Sequence, residues 1–143
     1  VLEIRGESRG GYVLVEAGGG VPEVILLAAG HEVPVALRAR EILEADAIAT
    51  RVVAMTSVER FERQSAEYRD AVLPRGVAAR VSVGAGSTLG WYALAGEAGV
   101  VVGLDRSGLT APYRTLYEQL GFTPERVAAQ ARRSLAKARE RAA

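Results

Sequence analysis

Short apolar, β-branched runs alternate along the chain with segments whose apolar residues recur at helical spacing. Gly11 to Ala17 (GYVLVEA) reads as a strand closed by Gly18, Gly19 and Gly20, and Glu23 to Ala29 (EVILLAA) as a buried strand broken by Gly30. A helix is predicted from about His31 to Asp46, with Val33, Ala36, Leu37 and Leu43 near one face. Pro34 is tolerated there because first-turn amides have no helical partner. Thr50 to Met55 is the next strand. Helical pieces follow over Val58 to Gln64, capped by Ser57, and over about Ala66 to Leu73, stopped by Pro74. Ala79 to Val83 and Val100 to Leu104 are the remaining strands, with a short helix near Trp91 to Leu94 between them. Thr110 caps a predicted helix from about Pro112 to Leu120. Thr123-Pro124-Glu125 combines a cap, a first-position proline and a carboxylate at the positive helix end. The helix it opens carries Val127, Ala131, Leu135 and Ala138 on one stripe.

Strands joined by helical crossovers form a mostly parallel sheet covered on both faces, which makes the fold class α/β. The first strand is followed by no helix, and a direct turn favours an antiparallel relation to the sheet. On the residues alone, the glycine run suggests a hairpin between the first two strands.

Composition narrows the chemistry. The 143 residues suit one domain, and 49% hydrophobic with 24% charged residues supports a globular core. The net charge of +1 gives no global attraction to nucleic acid or to an anionic membrane. Absence of cysteine excludes disulfides, thiolate catalysis and cysteine-ligated metals, and the single histidine, His31, excludes a His-rich metal site. No apolar run approaches the roughly 20 residues of a membrane-spanning helix, and no signal-peptide pattern opens the sequence. The expectation is a cytoplasmic domain, and the start at Val1 without methionine suggests a piece of a longer protein.

Candidate chemistry is sparse. Gly30-His31-Glu32 follows a buried strand and opens a helix, where free amides and the helix dipole suit an anion; the same residues also fit an ordinary strand-to-helix turn. Gly84-Ala85-Gly86-Ser87 is phosphate-cradle-like in composition, yet it lacks the dinucleotide-binding spacing and the P-loop lysine, so a close-packed turn is the simpler reading. Asp105-Arg106 ends the last strand, where α/β proteins bind ligands; the alternative is a local ion pair. Trp91 and Tyr92 read as core packing. The final helix ends in a basic run of Arg132, Arg133, Lys137, Arg139 and Arg141, which complements its negative end and has no interleaved aromatics for nucleic acid. No carboxylate pair sits in an apolar setting, so the sequence offers no acid-base dyad.

The quoted segments carry a family resemblance over nearly the whole chain. GGYVL (Gly10 to Leu14), PEVILLAAGHEV (Pro22 to Val33) and TRVVAMTSVERFERQSAEYRDAVLP (Thr50 to Pro74) resemble the C-terminal domain of transketolases. ARVSVGAGSTLGW (Ala79 to Trp91), VVGLDRSGLTAP (Val101 to Pro112) and YEQLGFTPERV (Tyr117 to Val127) continue it. The F, Q, YR and VLP spacing separates it from the related domains of deoxyxylulose-phosphate synthase and the pyruvate dehydrogenase β subunit. Three positions depart: His31 stands where the family usually has serine, Gly84 where it has glutamate, and Ser107 where it has phenylalanine. No ligand role is carried over to those loops.

The resemblance implies a three-layer α/β/α domain with a five-stranded mixed sheet, order 1-3-2-4-5 and strand 1 antiparallel. Residues 1–9 would be a linker and 10–143 the domain. It implies a cytoplasmic parent enzyme of the pentose phosphate pathway, homodimeric, that moves a two-carbon ketol unit from a ketose phosphate to an aldose phosphate. Thiamine diphosphate and a divalent cation (Mg or Ca) would be held by the parent's other two domains. The G-D-G…N motif of the first of those domains is absent here, so the isolated domain is expected to bind no cofactor or metal and to be inactive, with no nucleic-acid or membrane partner. Two alternatives stand beside this structural and interface role: a small-anion or nucleotide-binding regulatory α/β module, and a free-standing α/β enzyme. In that strand order, the connections diverge between strands 2 and 4. The resulting crevice would be built from Gly30, His31, Glu32, Gly86, Ser87, Asp105 and Arg106, open to a small anion or plugged by a neighbouring domain.

Overall fold

The computed structural model describes residues 8–84, 94, 96, 99–103 and 123–142. The strands β1 (Gly11–Val15), β2 (Val24–Ala28), β3 (Thr50–Met55), β4 (Arg80–Gly84) and β5 (Val100–Gly103) form one sheet in the order β1-β3-β2-β4-β5. β2 pairs parallel with β3 and β4, and β4 with β5, whereas β1 pairs antiparallel with β3. The hairpin suggested by the glycine run does not form. After β1 the chain turns through Gly18 to Gly20 and crosses to the far side of β3.

Strand periodicity sorts the core into two layers. Val24, Leu26 and Ala28 of β2, Val52 of β3, and Val81 and Val83 of β4 face one side. There they meet Ala36, Ala39 and Leu43 of helix α1 (Val33–Ala45) and Val127, Ala128 and Ala131 of helix α4 (Pro124–Ala142). Ile25, Leu27, Val53 and Met55 face the other side, against Phe61 of helix α2 (Val58–Glu62) and Val72 of helix α3 (Ala66–Val72). Because both faces of β2 and β3 are covered, β2 is apolar throughout and β3 is apolar from Val52 to Met55. Leu135 and Ala138 of α4 pack at the margin of the first layer, completing the stripe predicted from sequence.

Of the caps read from sequence, those of Ser57 and Thr123 are made, Thr110 lies outside the described residues, and Ser65 adds a cap that was not read. Ser57 Oγ accepts from the Arg60 amide at 3.2 Å, Ser65 Oγ from Tyr68 at 3.1 Å and Thr123 Oγ1 from Arg126 at 3.2 Å. Element ends move slightly: β1 stops at Val15, β4 runs Arg80–Gly84, and α2 and α3 end one or two residues early. The helix expected from His31 begins as a single 3₁₀ turn, Gly30–Glu32, before α1. Pro34 has no amide to send back to Gly30, so the Val33 amide takes the Gly30 carbonyl in the tighter pattern instead. The readings of a helix at Trp91–Leu94 and another at Pro112–Leu120 fall largely or wholly outside the described residues.

The chain reaches β1 through a tight junction. The Gly10 carbonyl accepts from the amides of Thr56 (2.7 Å) and Ser57 (2.9 Å), just beyond the end of β3. Gly10 has φ +84°, and a Cβ there would lie 2.3 Å from the Ser57 carbonyl oxygen and 2.5 Å from the Phe61 amide. Gly19 shares the positive φ (+82°) but faces open space. Gly19→Ala should therefore cost about 1 kcal/mol of left-handed strain alone. Gly10→Ala should cost more than about 2 kcal/mol, because backbone must also move. Urea melts of both variants check this; equal losses would remove the junction from the fold's essential contacts.

Candidate functional site

Buried polar side chains gather where β2, β3 and β4 begin. Arg51 lies in β3 with only 7% of its surface exposed. Its Nε and Nη2 grip the two carboxylate oxygens of Glu16 at 2.8 and 2.9 Å, and its Nη1 donates to the carbonyls of Ala71 and Val72 at 2.9 and 3.0 Å. One guanidinium thus ties the chain after β1, the middle of the sheet and the end of α3. The Arg51 hydrogen bonds hold the Glu16 carboxyl below the usual carboxylate range, against an opposing push from burial.

Two α1 side chains finish the β3 edge. Beyond Val15 the β1 ladder ends, and the pairing slips at Leu14 between Val13 and Val15. Glu44 Oε2 accepts from the amides of Thr50 (2.8 Å) and Gly18 (2.9 Å), while Arg40 donates to the carbonyls of Thr50 (3.0 Å) and Glu16 (2.8 Å). The Gly18 and Thr50 amides lower the Glu44 pKa, with Arg40 adding to them. Ser134 of α4 accepts from the Arg80 amide at 3.0 Å at the start of β4, and Glu23 accepts from Ala49 at 3.0 Å beside β2. The Arg80 guanidinium is wrapped by the carbonyls of Leu73, Pro74, Val77 and Leu94, and burial lowers its pKa.

Three of the residues read from sequence as a crevice, Gly30, His31 and Glu32, lie at the opposite end of the sheet. Gly30 and His31 are exposed, and Glu32 is buried to 5% exposure. The Glu32 amide is used by the Ala29 carbonyl at 3.2 Å and the Val33 amide by Gly30, so the 3₁₀ turn consumes two amides that an anion would need. Gly86, Ser87, Asp105 and Arg106 lie outside the described residues, as do Trp91 and Tyr92. A separate cavity of about 480 Å³ opens between α2, α3 and Leu94. The buried side chains of Phe61, Leu73 and Leu94 line it together with exposed Arg69, Asp70 and Arg75. On α4, Arg132 pairs with Asp46, and Arg139 with Glu23 at 3.4 Å, so part of the basic run serves helix docking. Among the described residues, no group of three His, Cys, Asp or Glu is placed to hold a metal, and no helix is long and apolar enough to cross a membrane.

Sequence reasoning singled out the loops and missed Glu16, Arg40, Glu44, Arg51 and Arg80. A signal was present: an arginine inside the apolar runs TRVVAM and ARVSV has to find acceptors when the strand is buried. Because Glu16 and Glu44 titrate lower folded than unfolded, their contribution is complete above the ordinary carboxylate range. It is lost as pH falls through their folded pKa values. Glu44→Gln should lower the thermal midpoint at pH 7, and its deficit against the parent should shrink toward pH 3. Melts across that range check this, and a constant deficit would show that shape rather than charge matters. Arg51→Lys should cost about 1–3 kcal/mol, since an ammonium cannot serve both Glu16 oxygens and two carbonyls at once.

With the fold and its polar anchors in place, similarity to known proteins is decisive. A family model described as the transketolase-like TK C-terminal domain matches residues 10–123. The chain is 47% identical over 137 residues to the transketolase of Mycobacterium tuberculosis, covering 93% of this chain and 20% of that protein. It is 44% identical over 130 residues to the chloroplastic transketolase of Craterostigma plantagineum, covering 90% of this chain and 25% of that protein. A solved transketolase variant from Pichia stipitis superposes with a TM-score of 0.82 at 34% identity, covering 96% of this chain and 19% of that one. A structure described as a split-gene transketolase, inactive beta4 tetramer, matches with a TM-score of 0.68 at 27% identity, over 90% of this chain and 43% of that one. The chain spans about a fifth to a quarter of the length of these curated relatives. It belongs to the transketolase-like C-terminal domain family.

Proposed function

We propose that this chain is the C-terminal structural and interface domain of a transketolase and is not itself catalytic. The observation that carries the reading is the family match over residues 10–123, together with a fold whose Arg51 and Glu44 side chains are committed to its own backbone. The domain extends to α4, beyond the matched stretch, because Val127, Ala128 and Ala131 are part of the core; residues 1–9 act as the linker.

The parent transfers a two-carbon ketol unit from a ketose phosphate to an aldose phosphate, with thiamine diphosphate and a divalent cation (Mg or Ca) bound by its preceding domains. Pichia stipitis relatives are described as complexes with xylulose-5-phosphate, sedoheptulose-7-phosphate and fructose-6-phosphate, all ketose phosphates, which supports this donor class. The residues described here do not fit the cofactor. They offer no metal cluster, and the carboxylates with lowered pKa values are saturated by arginines and amides. A homodimeric parent and a cytoplasmic location follow the family reading, although the Craterostigma relative is named chloroplastic. The crevice at Gly30, His31, Glu32, Gly86, Ser87, Asp105 and Arg106 is a contact surface within the parent. The buried Glu32 carboxylate and the occupied amides disfavour an anion there.

Two measurements test this. The 143-residue chain should show no heat of binding with thiamine diphosphate and Mg, and no ketol transfer from xylulose-5-phosphate. The longer protein that carries the domain should show both. Micromolar cofactor binding by the 143-residue chain alone would overturn the reading.

A further inference from the structure

We infer that the groove between α2 and α3 is the seat of the preceding domain of the same polypeptide. The inference rests on the proposed role as a transketolase C-terminal domain and deepens it by naming the docking face.

The path of the chain is the first support. Gly10 is locked to the amides of Thr56 and Ser57, and the Arg9 guanidinium lies 4.6 Å from the centre of the Tyr68 ring on α3. The Tyr68 hydroxyl donates to the Gly11 carbonyl at 2.6 Å. Residues 9–11 are therefore fixed against the end of β3 and the surface of α3 by four contacts. A domain joined to the chain ahead of these fixed residues is held at high effective concentration beside that surface.

The groove supplies the second support. It is about 480 Å³ in volume, with Phe61, Leu73 and Leu94 inside and Ala66, exposed at the first turn of α3, beside them. Arg69 and Asp70 set both signs of charge around it. An apolar interior with a mixed-sign rim matches the make-up of protein contacts. A phosphate-bearing ligand or a polyanion would call for one sign. The occupant is accordingly an apolar side chain of the preceding domain, flanked by both a carboxylate and a cation. Relatives in which this domain is about a fifth of the protein have ample preceding chain to supply it.

Hydrogen exchange tests the inference on the full-length transketolase that carries this domain and on the 143-residue chain. Amides of residues 61–73 should exchange at least about tenfold more slowly in the full-length protein. Ala66→Arg should remove that protection in the full-length protein while leaving the melt of the 143-residue chain unchanged, because Ala66 is exposed there. Equal exchange in the two proteins would overturn the inference. So would protection that appears in the 143-residue chain as its concentration rises, which would assign the groove to a second copy. Ketol-transfer assays on the same full-length sample keep the two readings apart. An active protein with unprotected α2 and α3 defeats only the docking face, whereas an inactive protein with a protected groove defeats only the functional reading.

Discussion

The arrangement depends on keeping β3 hydrogen-bonded along its whole length beside a neighbour that runs the other way and stops short. β1 pairs with β3 only as far as Val15 against Val52, and Thr50 and Arg51 lie beyond it in a fully buried strand. An unpaired backbone group there would cost about 1–3 kcal/mol. Side chains finish the ladder instead. Glu44 and Arg40 reach down from α1 to the amide and carbonyl of Thr50, and Arg51 turns outward to clamp Glu16 and the end of α3. Without these four groups the antiparallel edge and both helical layers would lose their common anchor.

That constraint explains where the charges went. In α/β proteins, ligands are met at the carboxyl ends of the strands. Here Glu32 is the buried charged residue described at that end, whereas the polar side chains that anchor the sheet gather at the opposite end, where β2, β3 and β4 start, and many of their partners are the chain's own backbone groups. At the carboxyl end of β3, the amides of Thr56 and Ser57 are already taken by the arriving Gly10 carbonyl. The pKa shifts point the same way. Glu16 and Glu44 are lowered by partners that stabilise the ionised form, which suits permanent anchors better than groups that exchange protons near neutrality.

The fold was largely legible because its signals are local. The β-branched runs, the Ser57 and Thr123 caps and the Val127-to-Ala138 stripe each declare an element within a few residues. The placement of β1 beside β3 was not local. The glycine run pointed to a hairpin with β2, and only the family resemblance supplied the correct neighbour. The anchors escaped notice because Glu16 and Arg51 are 35 residues apart and Gly18 and Glu44 are 26 apart, distances at which sequence spacing carries no pairing information. The candidate crevice drew attention through its glycines. Of its residues, those described contribute a tightened turn and a buried acid in place of open amides.

The central claim is that this domain contributes architecture to a transketolase rather than chemistry. Steady-state ketol transfer by the full-length enzyme carrying Glu16→Gln, measured beside its thermal midpoint, tests that most directly. The account predicts a lower midpoint with kcat per folded molecule within about twofold of the parent. A kcat reduced a hundredfold in a protein that melts at the parental temperature would contradict it.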